Sequence, residues 1–166
     1  MKAFFGFYIA LVIGVFGLWA IQPLRAQQEG FANAVAQEVF AQINALRAEA
    51  KIAPLAKDEA LDSLAHAHSL DMLSEKYFSH YDEYGCNSSC RMHMAGYHSQ
   101  PSGENIYVTY TYKNNPQEVA AALLAQWTKN PQQKKNLLNP AFTHTGIGVA
   151  TRVGALYVTE DFTDTN

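Results

Sequence analysis

The chain has 166 residues, of which 48% are hydrophobic and 16% charged, and its formal net charge is −3. This composition supplies enough apolar side chains for one folded core and carries too few charges for a disordered polymer. A partner such as nucleic acid calls for a basic patch, and the only basic run is Lys134-Lys135. We therefore expect no nucleic acid as a partner.

An apolar segment opens the chain. Residues 3–21 are all apolar, Gly or Tyr, and their number lies between the roughly 7 to 15 of a signal peptide and the roughly 20 of a membrane-spanning helix. We expect a signal peptide, residues 1–26, that is cleaved after Ala26. The alternative is an N-terminal membrane anchor with the domain, residues 27–166, outside. Both alternatives make the domain extracytoplasmic, secreted or periplasmic in the first case, and the membrane is a partner only through residues 3–21.

Two helices are predicted next. From Gln28 to Lys51, apolar residues recur every three or four positions, as in a helix with one buried stripe: Phe31, Val35, Val39, Ile43, Leu46 and Ala50. A second such segment begins near Asp58, with one face formed by Leu61, Leu64, Ala65, His68 and Met72. His68 is therefore expected to point inward, and His66, about 160° around the helix, to face away from that stripe.

The second half of the chain reads as a loop followed by strands and one more helix. Residues 77–103 lack periodicity over a length unusual for a connection. Residues 106–112 alternate like a strand, Asn115 caps a helix that ends at Asn130-Pro131, and residues 143–152 and 156–163 suit an antiparallel hairpin. This order predicts an α+β fold, a three-layer α/β/α sandwich around a small antiparallel sheet.

Several motifs, in order and approximate spacing, resemble the superfamily of cysteine-rich secretory proteins, antigen 5 and pathogenesis-related proteins (CAP), in its short bacterial type. Between roughly Phe40 and Phe162 they are Ala65-His66-Ala67-His68, Tyr77-Phe78-Ser79-His80, Arg91-Met92-His93-Met94-Ala95-Gly96-Tyr97, Gly103-Glu104-Asn105-Ile106, Trp127, Asn136-Leu137-Leu138-Asn139-Pro140 and Phe142-Thr143-His144-Thr145-Gly146. The resemblance implies the same sandwich, an extracytoplasmic setting, and a cleft beside the Phe-Ser-His and Gly-Glu-Asn segments.

In better-known members that cleft presents two His and two Glu, which can hold a divalent ion such as Zn²⁺. The resemblance places the first His at His80 and the first Glu at Glu104. It places the second Glu at Asn130 and the second His near Ala141, three positions before His144. The candidate cleft residues are His80, Glu104, His144, His68, Asn105 and Tyr107, with His80 and Glu104 as metal ligands if a cation is bound. No cofactor is required by this interpretation.

Each candidate also has a structural interpretation. In this interpretation Glu104 accepts hydrogen bonds from His80 and from the loop and so pins that loop to the sheet, and His68 is a hydrogen-bonded core residue. Cys86 and Cys90 are expected to form a disulfide, because export oxidises such pairs. With His93 and His98 they also match the residue types of a structural zinc site, and this alternative stays open.

Catalysis finds little support, because no Ser or Cys has an assignable base and no second carboxylate accompanies Glu104 at a recognisable spacing. The sequence therefore predicts a binding or interaction module at the cell envelope or outside the cell, for a small apolar or envelope-derived ligand: lipid, glycan or peptide. One alternative is a divalent-metal-dependent hydrolase using His80 and Glu104. Another is a membrane-anchored structural subunit of an envelope assembly.

Overall fold

The structure, a computed structural model, describes residues 5–98 and 101–164, with side chains from residue 22 onward. Its helices are α1 (Phe5–Glu49), α2 (Glu59–Glu75), α3 (Ser88–Met94), α4 (Pro116–Lys129) and α5 (Pro131–Leu137). Its strands are β1 (Ala56–Lys57), β2 (Ser102–Thr109), β3 (His144–Arg152) and β4 (Ala155–Thr163).

The strands form one sheet in the order β1-β3-β4-β2. β4 is antiparallel to both of its neighbours, and the short β1 runs parallel to β3. A two-residue turn, Val153-Gly154, joins β3 to β4, and Gly154 supplies the positive φ of 80° that this turn needs. The predicted terminal hairpin is confirmed.

Helices cover both faces of the sheet. On one face the main core packs α1 and α4 against the strands, with Val39, Ile43, Leu123 and Trp127 among its buried members. On the other face α2 lies so close to β3 that a Cβ added to Gly148 would overlap the backbone of Ala65 and His66. The predicted three-layer α/β/α sandwich is therefore confirmed.

The structure differs from the sequence prediction at several elements. β2 begins at Ser102 and ends at Thr109, whereas the alternation had suggested residues 106–112. α3 and α5, of seven residues each, were not predicted because they are too short to show a helical period. Both begin at an asparagine whose side chain accepts backbone N–H bonds, Asn87 for α3 and Asn130 for α5.

The apolar N-terminal segment falls mostly outside the residues whose side chains are described. Its backbone from residue 5 belongs to α1, which continues through Pro23. Among the described residues, no helix combines the length and apolar character needed to cross a membrane. Signal cleavage, membrane anchoring and the division at residue 26 stay predictions.

Candidate functional site

The carboxylate of Glu104 is the centre of the candidate site. Glu104 lies on β2, on the face covered by α2, and its side chain is only 4% exposed. The Nδ1 atom of His80 donates to Glu104 Oε1 over 2.6 Å, and Arg91 Nη2 donates to Oε2. A buried carboxylate is costly unless it is paired and hydrogen-bonded. Here Arg91 supplies the opposite charge and a hydrogen bond, and His80 supplies a second hydrogen bond.

Arg91 is the site residue that sequence reasoning missed. It lies on α3, is 12% exposed at its side chain, and also donates through Nη1 to the carbonyl oxygens of Cys86 at 2.9 Å and His80 at 3.2 Å. One guanidinium thus joins α3, the segment around His80 and β2. The sequence signal was present, since Arg91 opens one of the motifs on which the family resemblance rests.

A second buried carboxylate lies next to Glu104. Asp161 on β4 is the register partner of Glu104 on β2, so the two side chains share one face. Asp161 is 1% exposed and accepts a hydrogen bond of 2.6 Å from the hydroxyl of Ser88 at the start of α3. Burial, and then the negative charge of Glu104, raise the pKa of Asp161 to about 7. The acid is therefore partly protonated near neutral pH.

His68 points inward from α2 and reaches the edge of this site. Its Nε2 lies 3.0 Å from the carbonyl oxygen of Ser79 and 3.9 Å from Glu104 Oε2. Burial, aided by the positive charge of Arg91, lowers the pKa of His68, so the ring is neutral. Because a carbonyl can only accept, Nε2 carries the proton and donates to Ser79. His68 therefore ties the His80 segment to α2.

Three predicted cleft residues lie elsewhere. Asn105 and Tyr107 face the opposite side of the sheet: Asn105 bonds to Gln133 and Asn136 around α5, and Tyr107 belongs to the main core. His144 shares the face of Glu104 but lies on β3, where it pairs with Thr163. It is therefore two strands and two residues away from Glu104, about 12 Å between the two Cα atoms. The structure brings His80 and His68 to Glu104 and does not bring Asn105, Tyr107 or His144.

The two cysteines form a disulfide. The sulfur atoms of Cys86 and Cys90 are 1.95 Å apart, and the bridge spans the N-terminal cap of α3. The predicted disulfide is confirmed, and the zinc site built from both cysteines with His93 and His98 is wrong, because bridged sulfurs are no longer thiolate ligands.

The residues around Glu104 do not fit the divalent-cation site that the family resemblance implies. Arg91 already places a fixed positive charge on the carboxylate. At the implied second Glu, Asn130 uses its side-chain oxygen to cap α5, and at the implied second His, Ala141 has no donor atom. Among the described residues, no group of three or more His, Cys, Asp or Glu side chains converges on one point. The arrangement instead presents an imidazole to solvent, because the side chain of His80 is 49% exposed.

Three solved structures with a similar fold come from bacterial surface or secreted proteins. An extracellular protein of Bacillus anthracis containing an SCP domain is 28% identical, with a TM-score of 0.70; the match covers 83% of this chain and 43% of that one. An outer surface protein of Borrelia burgdorferi is 15% identical, with a TM-score of 0.70 and coverage of 80% and 93%. A cysteine-rich secretory protein of Staphylococcus aureus is 14% identical, with a TM-score of 0.60 and coverage of 79% and 39%.

The chain thus spans less than half of the Bacillus and Staphylococcus proteins, and the likeness to the two less identical proteins shows the fold alone. No curated protein matches the sequence. The family model described as "Cysteine-rich secretory protein family" (CAP) matches residues 40–162, a span that contains α2 to α5, the sheet up to Phe162 and every residue around Glu104. The chain belongs to the CAP family of cysteine-rich secretory proteins.

Proposed function

We propose that this CAP domain works outside the cytoplasm as a binding module, and that it takes an envelope-derived ligand at the surface of the loop around His80. The observation that carries the proposal is the number of exposed large apolar side chains along this loop. Between residues 77 and 98, four large apolar side chains are exposed to solvent: Phe78, Tyr81, Tyr84 and Met94. Tyr84 and Met94 are exposed to 86% and 80%. Soluble proteins keep such groups together mainly where they bind something.

The loop is well built to present these side chains. Arg91, the disulfide and the Ser88–Asp161 hydrogen bond fasten it to the sheet. A ligand therefore meets a preformed surface, and less binding energy is lost in ordering the loop. His80, 49% exposed on the same loop, supplies a polar contact. Tyrosine rings combined with a few fixed polar groups suit a glycan or peptide as well as a lipid.

The extracytoplasmic setting rests on three supports: the apolar N-terminal segment, the disulfide, and membership of a family described as secretory. Disulfides of this kind persist in oxidising compartments. Whether residues 3–21 are cleaved or kept as an anchor is a separate question, and N-terminal sequencing of exported protein answers it: a start at Gln27 excludes the anchored structural subunit, and a start at Met1 excludes secretion.

Co-sedimentation tests the binding proposal. Peptidoglycan sacculi and phospholipid vesicles are each incubated with the protein and with a Tyr81→Ser/Tyr84→Ser variant. The control is Val153→Ser, which removes an equally exposed apolar side chain from the β3–β4 turn at the other end of the sheet. Because residues 3–21 partition into vesicles by themselves, the informative quantity is the difference between variant and control. Loss of sedimentation in the tyrosine variant alone supports the proposal, and equal behaviour of the two variants with both materials refutes it.

A divalent-metal-dependent hydrolase at His80 and Glu104 is the rival proposal, and the geometry does not favour it. The Arg91 guanidinium occupies the carboxylate oxygen that a cation would need, and His80 Nδ1 occupies the other. Zinc titration of the parent and of His80→Ala distinguishes the two: zinc binding that is lost in His80→Ala would restore the hydrolase proposal.

A further inference from the structure

The imidazole rings of His93 and His98 converge on the outer surface of the loop. Their Nδ1 atoms are 3.2 Å apart, the ring centroids are 4.9 Å apart, and the rings meet edge to face. Both side chains are exposed. Neither touches the Glu104 carboxylate, whose partners are His80, Arg91 and, more distantly, His68. The binding proposal above makes no use of this pair.

The separation of the two nitrogens matches that of two ligands on one metal ion. Imidazole nitrogens bind Zn²⁺ at about 2.0–2.1 Å. Two such nitrogens are then about 3.3 Å apart at a tetrahedral angle and about 2.9 Å apart at a right angle. The observed 3.2 Å lies between these values. A single N–H···N hydrogen bond gives the same distance. A measurement of metal binding therefore distinguishes a hydrogen-bonded pair from a pair of metal ligands.

The local backbone holds the rings in this arrangement. α3 ends in a tight cap in which the N–H of Tyr97 donates to the carbonyl of Met92 and the N–H of Gly96 donates to that of His93, with φ of Gly96 at 93°. Met92 and Tyr97 are buried, and the Tyr97 hydroxyl donates to Asp58 over 2.8 Å. His93 lies directly before residues 94–97 of this cap, and His98 lies directly after them. The pair is therefore positioned before any ion arrives, which reduces the cost of binding.

We propose that His93 and His98 form a two-histidine site for a borderline divalent cation, Cu²⁺ or Zn²⁺, with water completing the coordination shell. Imidazole suits both ions, and Cu²⁺ binds a given nitrogen site more tightly than the other first-row divalent ions do. The two thiolates of the structural zinc site suggested by the sequence are lost to the disulfide. The two imidazoles remain, and they give an open, exchangeable site in place of a closed structural one.

The test is Cu²⁺ binding by the oxidised full chain in non-ionic detergent micelles. Electron paramagnetic resonance of Cu²⁺ reports how many imidazole nitrogens bind the ion, and a Cu²⁺ titration gives its affinity. We expect one tight Cu²⁺ with two imidazole nitrogens, competed by Zn²⁺.

Variants assign the site. His93→Gln and His98→Gln each lower the Cu²⁺ affinity by at least about tenfold, since losing a ligand costs no less than losing a group that merely orients one. His144→Gln, on β3, and His80→Gln, beside Glu104, leave the affinity unchanged. All four variants are surface or half-exposed substitutions, and circular dichroism verifies that they fold. A spectrum without two imidazole nitrogens, or an affinity that depends on His80 and not on His93, overturns the proposal, and neither result bears on the aromatic surface tested by co-sedimentation.

Discussion

Replacing Arg91 by Met tests whether its guanidinium holds the site together. The substitution keeps an unbranched side chain and removes the positive charge that faces the Glu104 carboxylate. The Glu104 side chain is 4% exposed. Breaking a buried ion pair by removing one partner costs about 3–5 kcal/mol. His80 stays bonded to the other carboxylate oxygen, and Arg91 itself is 12% exposed, so we expect the low end, about 3 kcal/mol. Glu104→Gln should cost about 2 kcal/mol, because the amide oxygen still accepts a hydrogen bond.

A double-mutant cycle turns these values into a coupling energy. Equilibrium urea unfolding of the oxidised protein at pH 7 gives the free energy of unfolding for the parent, both single variants and Arg91→Met/Glu104→Gln. Once both charges are gone, the second substitution should cost little, so we expect the double variant to be more stable than additivity predicts by at least about 1.5 kcal/mol. Lys113 and Glu118, an exposed pair at 2.7 Å, serve as the control and should show no measurable coupling. Additive effects at Arg91 and Glu104 would refute the reasoning.

Three further predictions concern buried groups. The pKa of Asp161 is raised to about 7, so the folded protein keeps a proton that the unfolded chain releases near pH 4. The free energy of unfolding therefore falls as pH rises from about 4 to 7, by at most about 4 kcal/mol. The difference in urea midpoint between the parent and Asp161→Asn should accordingly not be the same at pH 5 as at pH 7.5. Arg47 is fully buried and donates to four backbone carbonyls, so Arg47→Met should cost at least about 3 kcal/mol in urea unfolding, and a loss below about 1 kcal/mol would contradict this. Gly148→Ala should lower the melting temperature steeply because its Cβ meets the α2 backbone, whereas Gly30→Ala, with open space around a helical position, should raise it slightly.

The layers of the fold were predictable because apolar periodicity marks them. α2 begins at Glu59, one residue after the predicted start near Asp58, and the hairpin agrees within a residue at its inner ends. The start of β2 was missed because Glu104 and Asn105 are polar yet buried, and their burial depends on partners from α3 and α5 that alternation cannot reveal. α5 could have been found from its cap, since Asn130-Pro131 is a helix start as well as a helix end.

The site was only partly predictable. The pairing of His80 with Glu104 came from the family resemblance, while strand parity alone shows that Asn105 and Tyr107 face away from Glu104. Strand alternation can be read from the sequence, and it places the predicted cleft residues on two opposite faces of the sheet. The ion pair of Arg91 required the fold, because α3 brings position 91 to position 104 through a turn that carries no periodic signal. Asp161 is similar, since its place beside Glu104 is set by strand register.

The guanidinium of Arg91 determines which reagents should loosen the loop. In a site held by a metal ion, a chelator would release the loop. Here the loop is held by Arg91, by the Ser88–Asp161 hydrogen bond and by the Cys86–Cys90 bridge that shapes the start of α3, so reduction is the perturbation that should loosen it. We expect dithiothreitol to accelerate chymotrypsin cleavage at the exposed Tyr84, while EDTA leaves the cleavage rate unchanged. Cleavage at Tyr110, exposed at the other end of the sheet, serves as the reference and should respond to neither reagent. Faster cleavage at Tyr84 in EDTA that persists in His93→Gln would show that a metal ion at Glu104 holds the loop and that Arg91 does not replace it.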